Sequence, residues 1–370
     1  MRRKNTFEIF VATAPGLEPA LGREVREKGF ERSSNLAGGV SFRGDWNDVW
    51  RANLELRGAT RVLARIGAFR AMHLSQLDKR ARTFPWGDIL RPDVSVRVEV
   101  SSRKSKIYHQ GAAAERIEKA ISEELGAPTG PDGEITLKVR IEDNLCTFSI
   151  DTSGESLHKR GHKIYTGKAP IRETLAALLL RQCRFDGSEP LVDPMCGSGT
   201  FVIEAAELAA GLQPGRDRTF AFQKLANFDA DAFQAMRRSE PTHEPEHLFF
   251  GFDRDAGSVR GATKNAERAG VEKHTAFSEQ ALSHLETPSG APGLVMVNPP
   301  YGARIGDRKS LFSLYGTLGK MLKSRFPGWR VGIVTSDGGL AKATGLAFIE
   351  TGPPIANGGL RVKLYQTGPI

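Results

Sequence analysis

The sequence has little cysteine. Its three cysteines, Cys146, Cys183 and Cys196, lie far apart and form no C-x-x-C pair. An odd number of widely spaced thiols excludes a disulfide framework, and without paired cysteines a zinc knuckle is excluded as well. We therefore expect buried thiols in a reducing compartment and no metal site.

Long apolar runs are also absent. No stretch of the sequence approaches the roughly 20 apolar residues that a membrane-spanning helix needs. The basic start MRRKNTFEIF is not followed by the apolar core of a signal peptide. These absences predict a cytoplasmic protein without a membrane partner.

Two familiar nucleotide-binding loops are missing. The Walker loop requires Gly-Lys-Ser/Thr, which occurs nowhere in the chain. The dinucleotide fingerprint G-x-G-x-x-G/A requires a third small residue, and the glycine loop of this chain has Val202 at that place. The glycine loop that is present therefore predicts neither a P-loop nucleotidase nor a conventional dinucleotide site.

Basic residues are in excess, and the excess is local. The formal net charge is +9. Residues 1–172 carry 30 basic and 22 acidic side chains, and residues 51–110 alone carry 13 and 5. This distribution predicts that the first part of the chain binds a polyanion, in particular nucleic acid. The alternative is that the excess charge only keeps the protein soluble.

The pattern of the chain predicts two domains. Residues 1–165 alternate short strand and helix patterns, which indicates an α+β region. Residues 151–172 are polar and basic without apolar periodicity, which is typical of a linker. Residues 166–370 follow the strand-loop-helix rhythm of a doubly wound parallel sheet, so the fold class is α/β with a Rossmann-like carboxyl-terminal domain. The individual predictions are strands at Phe7 to Ala12, Gly39 to Phe42, Val94 to Val100, Ile135 to Ile141, Leu145 to Ile150 and Leu294 to Val297, and helices at Leu17 to Lys28, Ala112 to Leu125 and Thr174 to Cys183.

The first chemical motif is LVDPMCGSGT, an apolar strand followed by an acid, a glycine loop and a helix. Gly197 and Gly199 allow a ligand to approach the backbone closely. The helix starting near Thr200 directs its free N–H groups at a carboxylate, and Asp193 can order the loop and attract an ammonium group. Such a loop fits an amino acid moiety that carries both charges.

The second motif is HLFFGFDRDAGSV, in which a strand ends in Asp253. A carboxylate at that place can accept hydrogen bonds from both hydroxyls of a ribose. Asp255 is interpreted as a helix cap rather than a ligand. The chain between Gly199 and Asp253 is longer than one crossover helix requires, so residues 211–246 are predicted to be an insertion.

The third motif, GLVMVNPPYG, indicates the reaction. An exocyclic amine on a base is a poor nucleophile because its lone pair is delocalised into the ring. The side-chain oxygen of Asn298 and the carbonyl of Pro299 can each accept one amine N–H and so localise that pair. Pro299 and Pro300 restrict the backbone, and Tyr301 offers a stacking surface for a base. A nucleophilic role for Cys196 is disfavoured because the cysteine lies in the glycine loop, away from this motif.

Together these motifs resemble the amino-methylating class I methyltransferases. The segments FVATAPGLEPAL, GGVSFRG, RANLELRGATRVL, DTSGESLHKRGH, DPMCGSGT, NPPYG and LYGTLGKMLKSRFPGW are similar to the RNA guanine-N2 methyltransferase family, in particular its 23S ribosomal RNA members, whose amino-terminal half contains a THUMP domain. The resemblance implies that residues 1–165 bind RNA and that residues 166–370 form the methyltransferase domain. Its implied S-adenosylmethionine ligands are Asp193, Pro194, Cys196, Gly197, Ser198, Gly199, Thr200 and Asp253, and its implied amine-binding residues are Asn298, Pro299, Pro300 and Tyr301.

One stretch departs from the family pattern. Many such enzymes carry an acid near the adenine after the third strand, whereas this chain reads FSEQALSHL, so that Glu279 or Gln280 would take the role. Alternative targets are guanine N2 in tRNA, a glutamine amide in a protein and adenine N6 in DNA. A ribosome-assembly factor without catalysis is the non-enzymatic alternative, which the set of Asp193, Asp253 and Asn298 argues against.

Overall fold

The computed structural model describes residues 6–167, 170–301, 308–357 and 359–370. These residues form two compact units. The amino-terminal unit comprises the described parts of Met1–Thr13, Gly22–Leu157 and Arg218–Arg237. The carboxyl-terminal unit comprises the described parts of Ala14–Leu21, His158–Asp217 and Arg238–Ile370.

The strands of the chain form two sheets, the first from β1 to β7 and the second from β8 to β15. The strands are β1 Phe7–Ala12, β2 Ser34–Leu36, β3 Gly39–Gly44, β4 Arg61–Arg70, β5 Val96–Arg103, β6 Ile135–Glu142, β7 Leu145–Asp151, β8 Leu191–Asp193, β9 Phe249–Asp253, β10 Thr275–Glu279, β11 Leu294–Val297, β12 Arg330–Thr335, β13 Phe348–Thr351, β14 Ile355–Asn357 and β15 Leu360–Thr367. The helices are α1 Glu18–Glu27, α2 Trp46–Glu55, α3 Leu74–Arg82, α4 Gln110–Leu125, α5 Glu173–Gln182, α6 Thr200–Ala209, α7 Ala230–Met236, α8 Ala256–Ala269, α9 Arg308–Arg325 and α10 Gly338–Ala343. Short 3-10 helices occur at Trp86–Asp88, Ala221–Lys224, Glu272–His274 and Leu282–His284. Within the described ranges, no helix is both long and apolar enough to cross a membrane.

The sheet of the amino-terminal unit has the order β2-β3-β1-β4-β7-β6-β5. Only β5 and β6 pair in parallel, and the other neighbours within this described sheet pair antiparallel. Apolar side chains alternate along β1, and Ile9 and Val11 are buried, as expected for a strand in a sheet with one covered face. Helix α2 begins where Asp45 accepts hydrogen bonds from the backbone N–H groups of Asn47 and Asp48, at 3.0 and 3.3 Å. The α+β class predicted for this region is confirmed.

Strand β4 was not among the sequence predictions, which counted its residues only as part of the basic stretch 51–110. Two of its arginines are in fact paired within the sheet. Arg61 Nη1 lies 2.5 Å from Asp151 Oδ2, and Arg65 Nη1 lies 2.5 Å from Glu8 Oε2. Both acids come from neighbouring strands that are distant in sequence, so the pairing could not be inferred from local pattern.

The sheet of the carboxyl-terminal unit has the order β10-β9-β8-β11-β12-β15-β13, with β14 paired to β15. The first five strands are parallel, and β15 runs antiparallel to β12. This is the doubly wound sheet predicted from the sequence. The strand order places β8 in the centre, flanked by β9 and β11. Ligands of open α/β sheets bind at the carboxyl ends of such central strands.

The segment predicted to be a linker, residues 151–172, contains the boundary between the two units at Leu157 and His158, and part of it is packed rather than exposed. Residue 151 ends β7, and the polar side chains of Arg160 and His162 are buried. Arg160 Nη2 lies 3.3 Å from Glu204 Oε1 on α6, and burial lowers the pKa of His162. The composition of the segment is polar because its charges face acids of α6, a partner that local sequence cannot reveal.

The predicted insertion at residues 211–246 contains a segment that returns to the amino-terminal unit. Arg218–Arg237 clusters with that unit and includes α7. The ring of Phe222 stacks on Trp50 of α2 with centroids 6.2 Å apart, and Phe233 packs edge-on against Phe222 at 5.1 Å. These aromatic contacts explain why the segment is longer than a crossover connection requires.

Candidate active site

The loop after β8 turns sharply between strand and helix. Asp193, the last residue of β8, is buried, and its Oδ1 accepts a hydrogen bond from the N–H of Met195 at 3.0 Å. Gly199 has φ +79°, in the left-handed region, directly before α6. A Cβ at Gly199 would come within 3.0 Å of Phe277 and 3.1 Å of Ala262, so glycine is required there for both conformation and space.

Asp253 ties this loop to the neighbouring strand. Its Oδ2 accepts a hydrogen bond from the N–H of Gly197 at 3.0 Å, and its Oδ1 accepts one from the N–H of Asp255 at 3.0 Å. An ionised carboxylate has about four acceptor positions, so these two bonds leave acceptor capacity for ligand hydroxyls. Asp255 instead caps α8, accepting from the N–H of Ser258 at 2.7 Å, as its sequence context indicated.

The glycine loop leaves room for a ligand beside it. A Cβ added at Gly197, where φ is +52°, would meet no heavy atom of the described residues within 4 Å, apart from its chain neighbours. The nearby carboxyl of Asp193 has an unusual pKa. Burial, and secondarily the charge of Asp253, raise the pKa of Asp193 to about 8, although the N–H of Met195 acts in the opposite direction. Open space beside a buried carboxyl fits a ligand that carries a positive charge.

Cys196 lies in the same loop. It is buried, and burial together with the charges of Asp193 and Asp253 raises the pKa of its thiol well above the ordinary value. A thiol in this environment stays protonated, which disfavours a nucleophilic role.

The NPPY motif follows β11, the strand next to β8. Val295 of β11 is in register with Val192 of β8, and so Asn298 leaves the sheet at the same edge as Asp193. Asn298 is partly exposed, whereas Tyr301 is only 7% exposed and its hydroxyl accepts a hydrogen bond from Asn357 Nδ2 at 3.1 Å. Residues 302–307 lie outside the described ranges.

The end of β10, which pairs with β9, lies next to Asp253. Glu279, its last residue, is exposed and in register with Asp253. Gln280 donates its backbone N–H to the carbonyl of Asp253 at 2.9 Å, and its side-chain Nε2 donates to the carbonyl of His284 at 3.0 Å. Both residues therefore stand beside the aspartate expected at the ribose, and the contact of either with an adenine stays a prediction.

Lys163 and Asn265, which the sequence analysis did not single out, form hydrogen bonds with the glycine loop and the start of α6. Lys163 Nζ donates to Thr200 Oγ1 at 2.9 Å and lies 3.0 Å from Glu173 Oε1. Asn265 on α8 donates to the carbonyl of Ser198 at 3.1 Å. No local pattern marks these residues, because their partners lie 37 and 67 positions away in the chain.

Comparison with known proteins identifies the family. Residues 160–353 match the family described as RMKL-like, methyltransferase domain, and residues 8–63 match the RlmL ferredoxin-like domain. The first match extends over more than half of the chain. The chain belongs to the RMKL-like methyltransferase family. Its ferredoxin-like match lies inside the region for which a THUMP domain was predicted.

Relatives of this methyltransferase cover nearly the whole chain. Ribosomal RNA large subunit methyltransferase K/L of Syntrophotalea carbinolica is 36% identical over 96% of this chain and 53% of its own length. The chain thus spans about half the length of that curated relative. A Synechocystis protein provisionally named RNA methyltransferase slr0064 is 30% identical over 98% of this chain and 96% of its own length. The solved structure of SMU.472, provisionally assigned as a methyltransferase and complexed with SAH, is 29% identical and superposes with a TM-score of 0.85 over 100% of this chain and 99% of that chain.

Membership in the RMKL-like family and the strand order confirm two sequence predictions. The chain contains a methyltransferase domain of that family, and its fold is α/β with a doubly wound sheet. The individual ligand and amine-binding residues rest on the geometry described above and remain proposals.

Proposed function

We propose that this methyltransferase transfers a methyl group from S-adenosylmethionine to an exocyclic amine of structured RNA, with N2 of guanine in 23S ribosomal RNA as the leading target. The observation that carries the proposal is the convergence of three motifs at one edge of the sheet. Asp253 and Asp193 end the neighbouring strands β9 and β8, and Asn298 directly follows β11. This arrangement supports a cofactor loop and an amine acceptor that act side by side.

The proposed cofactor ligands divide by chemistry. The N-terminus of α6 and the backbone beside Gly197 face the carboxylate of the methionine moiety, and Asp193 attracts its ammonium. Asp253 accepts hydrogen bonds from the ribose hydroxyls while it holds Gly197 at 3.0 Å. Pro194, Cys196 and Ser198 shape the same loop. When bound, S-adenosylmethionine supplies an electrophilic methyl group attached to a positively charged sulfur.

The proposed amine-binding residues act by geometry rather than by proton abstraction. Asn298 Oδ1 and the carbonyl of Pro299 each accept one N–H of the amine, which turns its lone pair away from the ring. The nitrogen becomes far more acidic once alkylated, so a strong general base is unnecessary. Pro300 restrains the backbone, and Tyr301 packs beside the base.

The substrate class follows from charge and from relatives. The amino-terminal residues carry the basic excess of the chain, and the curated relative from Syntrophotalea carbinolica is named as a ribosomal RNA methyltransferase. We therefore assign RNA recognition to a domain of residues 1–165, catalysis to residues 166–370, and action to the cytoplasm, where ribosomal RNA is found.

The test is a methylation assay on competing substrates. The full chain is incubated with labelled S-adenosylmethionine and 23S ribosomal RNA, tRNA, double-stranded DNA or glutamine-containing peptides, and the RNA is digested to nucleosides for mass spectrometry. We expect N2-methylguanosine from 23S ribosomal RNA. Label confined to tRNA, DNA or peptide would contradict the assignment, and the complete absence of transfer would support a role in ribosome assembly without catalysis.

Cofactor binding should depend on pH through Asp193. Its raised pKa of about 8 means that the free enzyme keeps this carboxyl protonated at lower pH, whereas a bound ammonium favours the carboxylate. The affinity for S-adenosylmethionine should therefore rise as pH increases towards 8, by up to about tenfold per pH unit, with release of a proton. Calorimetry in buffers of different ionisation enthalpy measures both effects. The Asp193→Asn variant should lose this pH dependence, and a flat affinity between pH 6 and 8 in the unmodified enzyme would contradict the role of Asp193.

A further inference from the structure

One edge of the amino-terminal sheet combines exposed apolar and basic side chains. Tyr108 is 71% exposed, and its ring lies against that of His109 with centroids 4.3 Å apart. Met72 and Leu145 are also large apolar residues with substantial exposure, at 47% and 38%. Exposed aromatic and apolar groups close to one another usually mark a binding surface.

Three segments of the chain meet at this edge through Asn144. Asn144 lies in the turn between β6 and β7, and its carbonyl accepts the N–H of Ala71 at 3.0 Å. Its side-chain Oδ1 accepts the N–H of Lys106 at 2.9 Å, and its own N–H donates to Ser105 Oγ at 3.0 Å. The end of β4, the loop after β5 and the β6–β7 turn are therefore held together, and we call this surface the Tyr108 platform.

The cations of the platform differ from two arginines of β4 that lie inside the sheet. Arg103, Lys104 and Lys106 are exposed and form no salt bridge with any acid among the described residues. By contrast, Arg61 and Arg65 of β4 are each paired with a carboxylate at 2.5 Å. The basic excess of the amino-terminal half thus contains neutralised arginines inside the sheet and free cations at the platform.

We propose that the Tyr108 platform binds an unpaired stretch of the RNA substrate. A base stacks on Tyr108 and His109, while Arg103, Lys104 and Lys106 neutralise the adjoining phosphates. Unpaired RNA is favoured over a duplex because only an unstacked base can reach an aromatic ring. It is favoured over a protein because three free cations, Arg103, Lys104 and Lys106, lie within five residues before Tyr108 in the chain. This inference rests on the proposed function, since it assumes an RNA substrate.

The experiment compares two RNAs of equal length, a hairpin with an unpaired loop from 23S ribosomal RNA and a fully paired duplex. Binding to the full chain is measured without S-adenosylmethionine across a salt series. Tyr108→Ala should lower affinity for the hairpin by about tenfold and leave the duplex nearly unchanged, and Tyr108→Phe should bind as the unmodified chain does. Lys104→Glu should reduce the salt dependence of binding by about one unit of slope.

Arg97→Glu is the matched control. Arg97 is also exposed on β5, but it lies six residues before Arg103, about 20 Å away along the strand, and is paired with Glu99. This variant should leave the salt slope nearly unchanged. An unchanged hairpin affinity in Tyr108→Ala would overturn the proposal and point to a protein partner at this edge, and an equal loss on both RNAs would overturn the stacking role. Failure of the proposed function would instead be seen as missing N2-methylguanosine in the methylation assay, whatever the binding result.

Discussion

The Asn298→Ala variant is expected to bind S-adenosylmethionine normally and to lose about 100- to 1000-fold in kcat, as is usual when one preorganised polar contact to the reacting group is removed. The alanine lacks the amide oxygen that accepts an amine N–H, so the lone pair stays delocalised. Asn298 directly follows β11 and is partly exposed, so its truncation removes less packing than that of a fully buried side chain, and the variant is expected to fold. Single-turnover kinetics with 23S ribosomal RNA measures the loss directly.

Variants of Tyr301 provide the comparison. Tyr301→Phe removes only the hydroxyl that accepts from Asn357 at 3.1 Å and should keep most of the activity. Tyr301→Ala removes a nearly buried ring and should lose both rate and stability. If Asn298→Ala turned over as fast as the unmodified enzyme, amine activation by this side chain would be ruled out.

The second large effect concerns the cofactor loop. Asp253→Ala should weaken S-adenosylmethionine binding by about 100-fold, because charge-assisted hydrogen bonds contribute about 1.5–3 kcal/mol each. The variant loses the ribose acceptor and also the anchor for the N–H of Gly197 at 3.0 Å. Gly197→Val should weaken binding as well, since its side chain would project into the open space beside the loop. Isothermal titration calorimetry measures both.

Asp255→Ala is the matched control for Asp253→Ala. Asp255 lies two residues further on and accepts from Ser258 at 2.7 Å as a helix cap. Its loss removes the helix cap and should lower the Tm slightly, while the affinity for S-adenosylmethionine stays close to that of the unmodified enzyme. Equal affinities of folded Asp253→Ala and Asp255→Ala would remove Asp253 from the proposed cofactor site.

Much of the fold could be read from local pattern. The predicted strands at Phe7 to Ala12 and Leu294 to Val297 agree with β1 and β11 at both ends. The helix predicted at Ala112 to Leu125 ends with α4, where Gly126 takes the left-handed conformation. Strand β4 escaped prediction because its arginines mask the alternation of apolar residues, and the three-residue β2 is too short to carry a pattern.

Most residues of the proposed site could also be predicted from the sequence, because they stand at the ends of predicted strands. Asp193 and Asp253 each end an apolar strand, Asn298 directly follows another, and the ends of parallel strands meet at one edge. Lys163 and Asn265 could not be found, because each acts through a partner far along the chain.

The sequence by itself determined the class of the fold and the positions of the proposed site residues. Strand periodicity, glycine positions and the acids at strand ends are local properties, and they suffice to predict a doubly wound sheet with a proposed cofactor loop and a proposed amine-binding loop. Only the tertiary structure decided which charges are free. Arg61 and Arg160 are neutralised by acids from distant parts of the chain, whereas Lys104 and Lys106 remain exposed beside Tyr108. Pairing of charges depends on distances in space, which the order of residues along the chain does not encode locally.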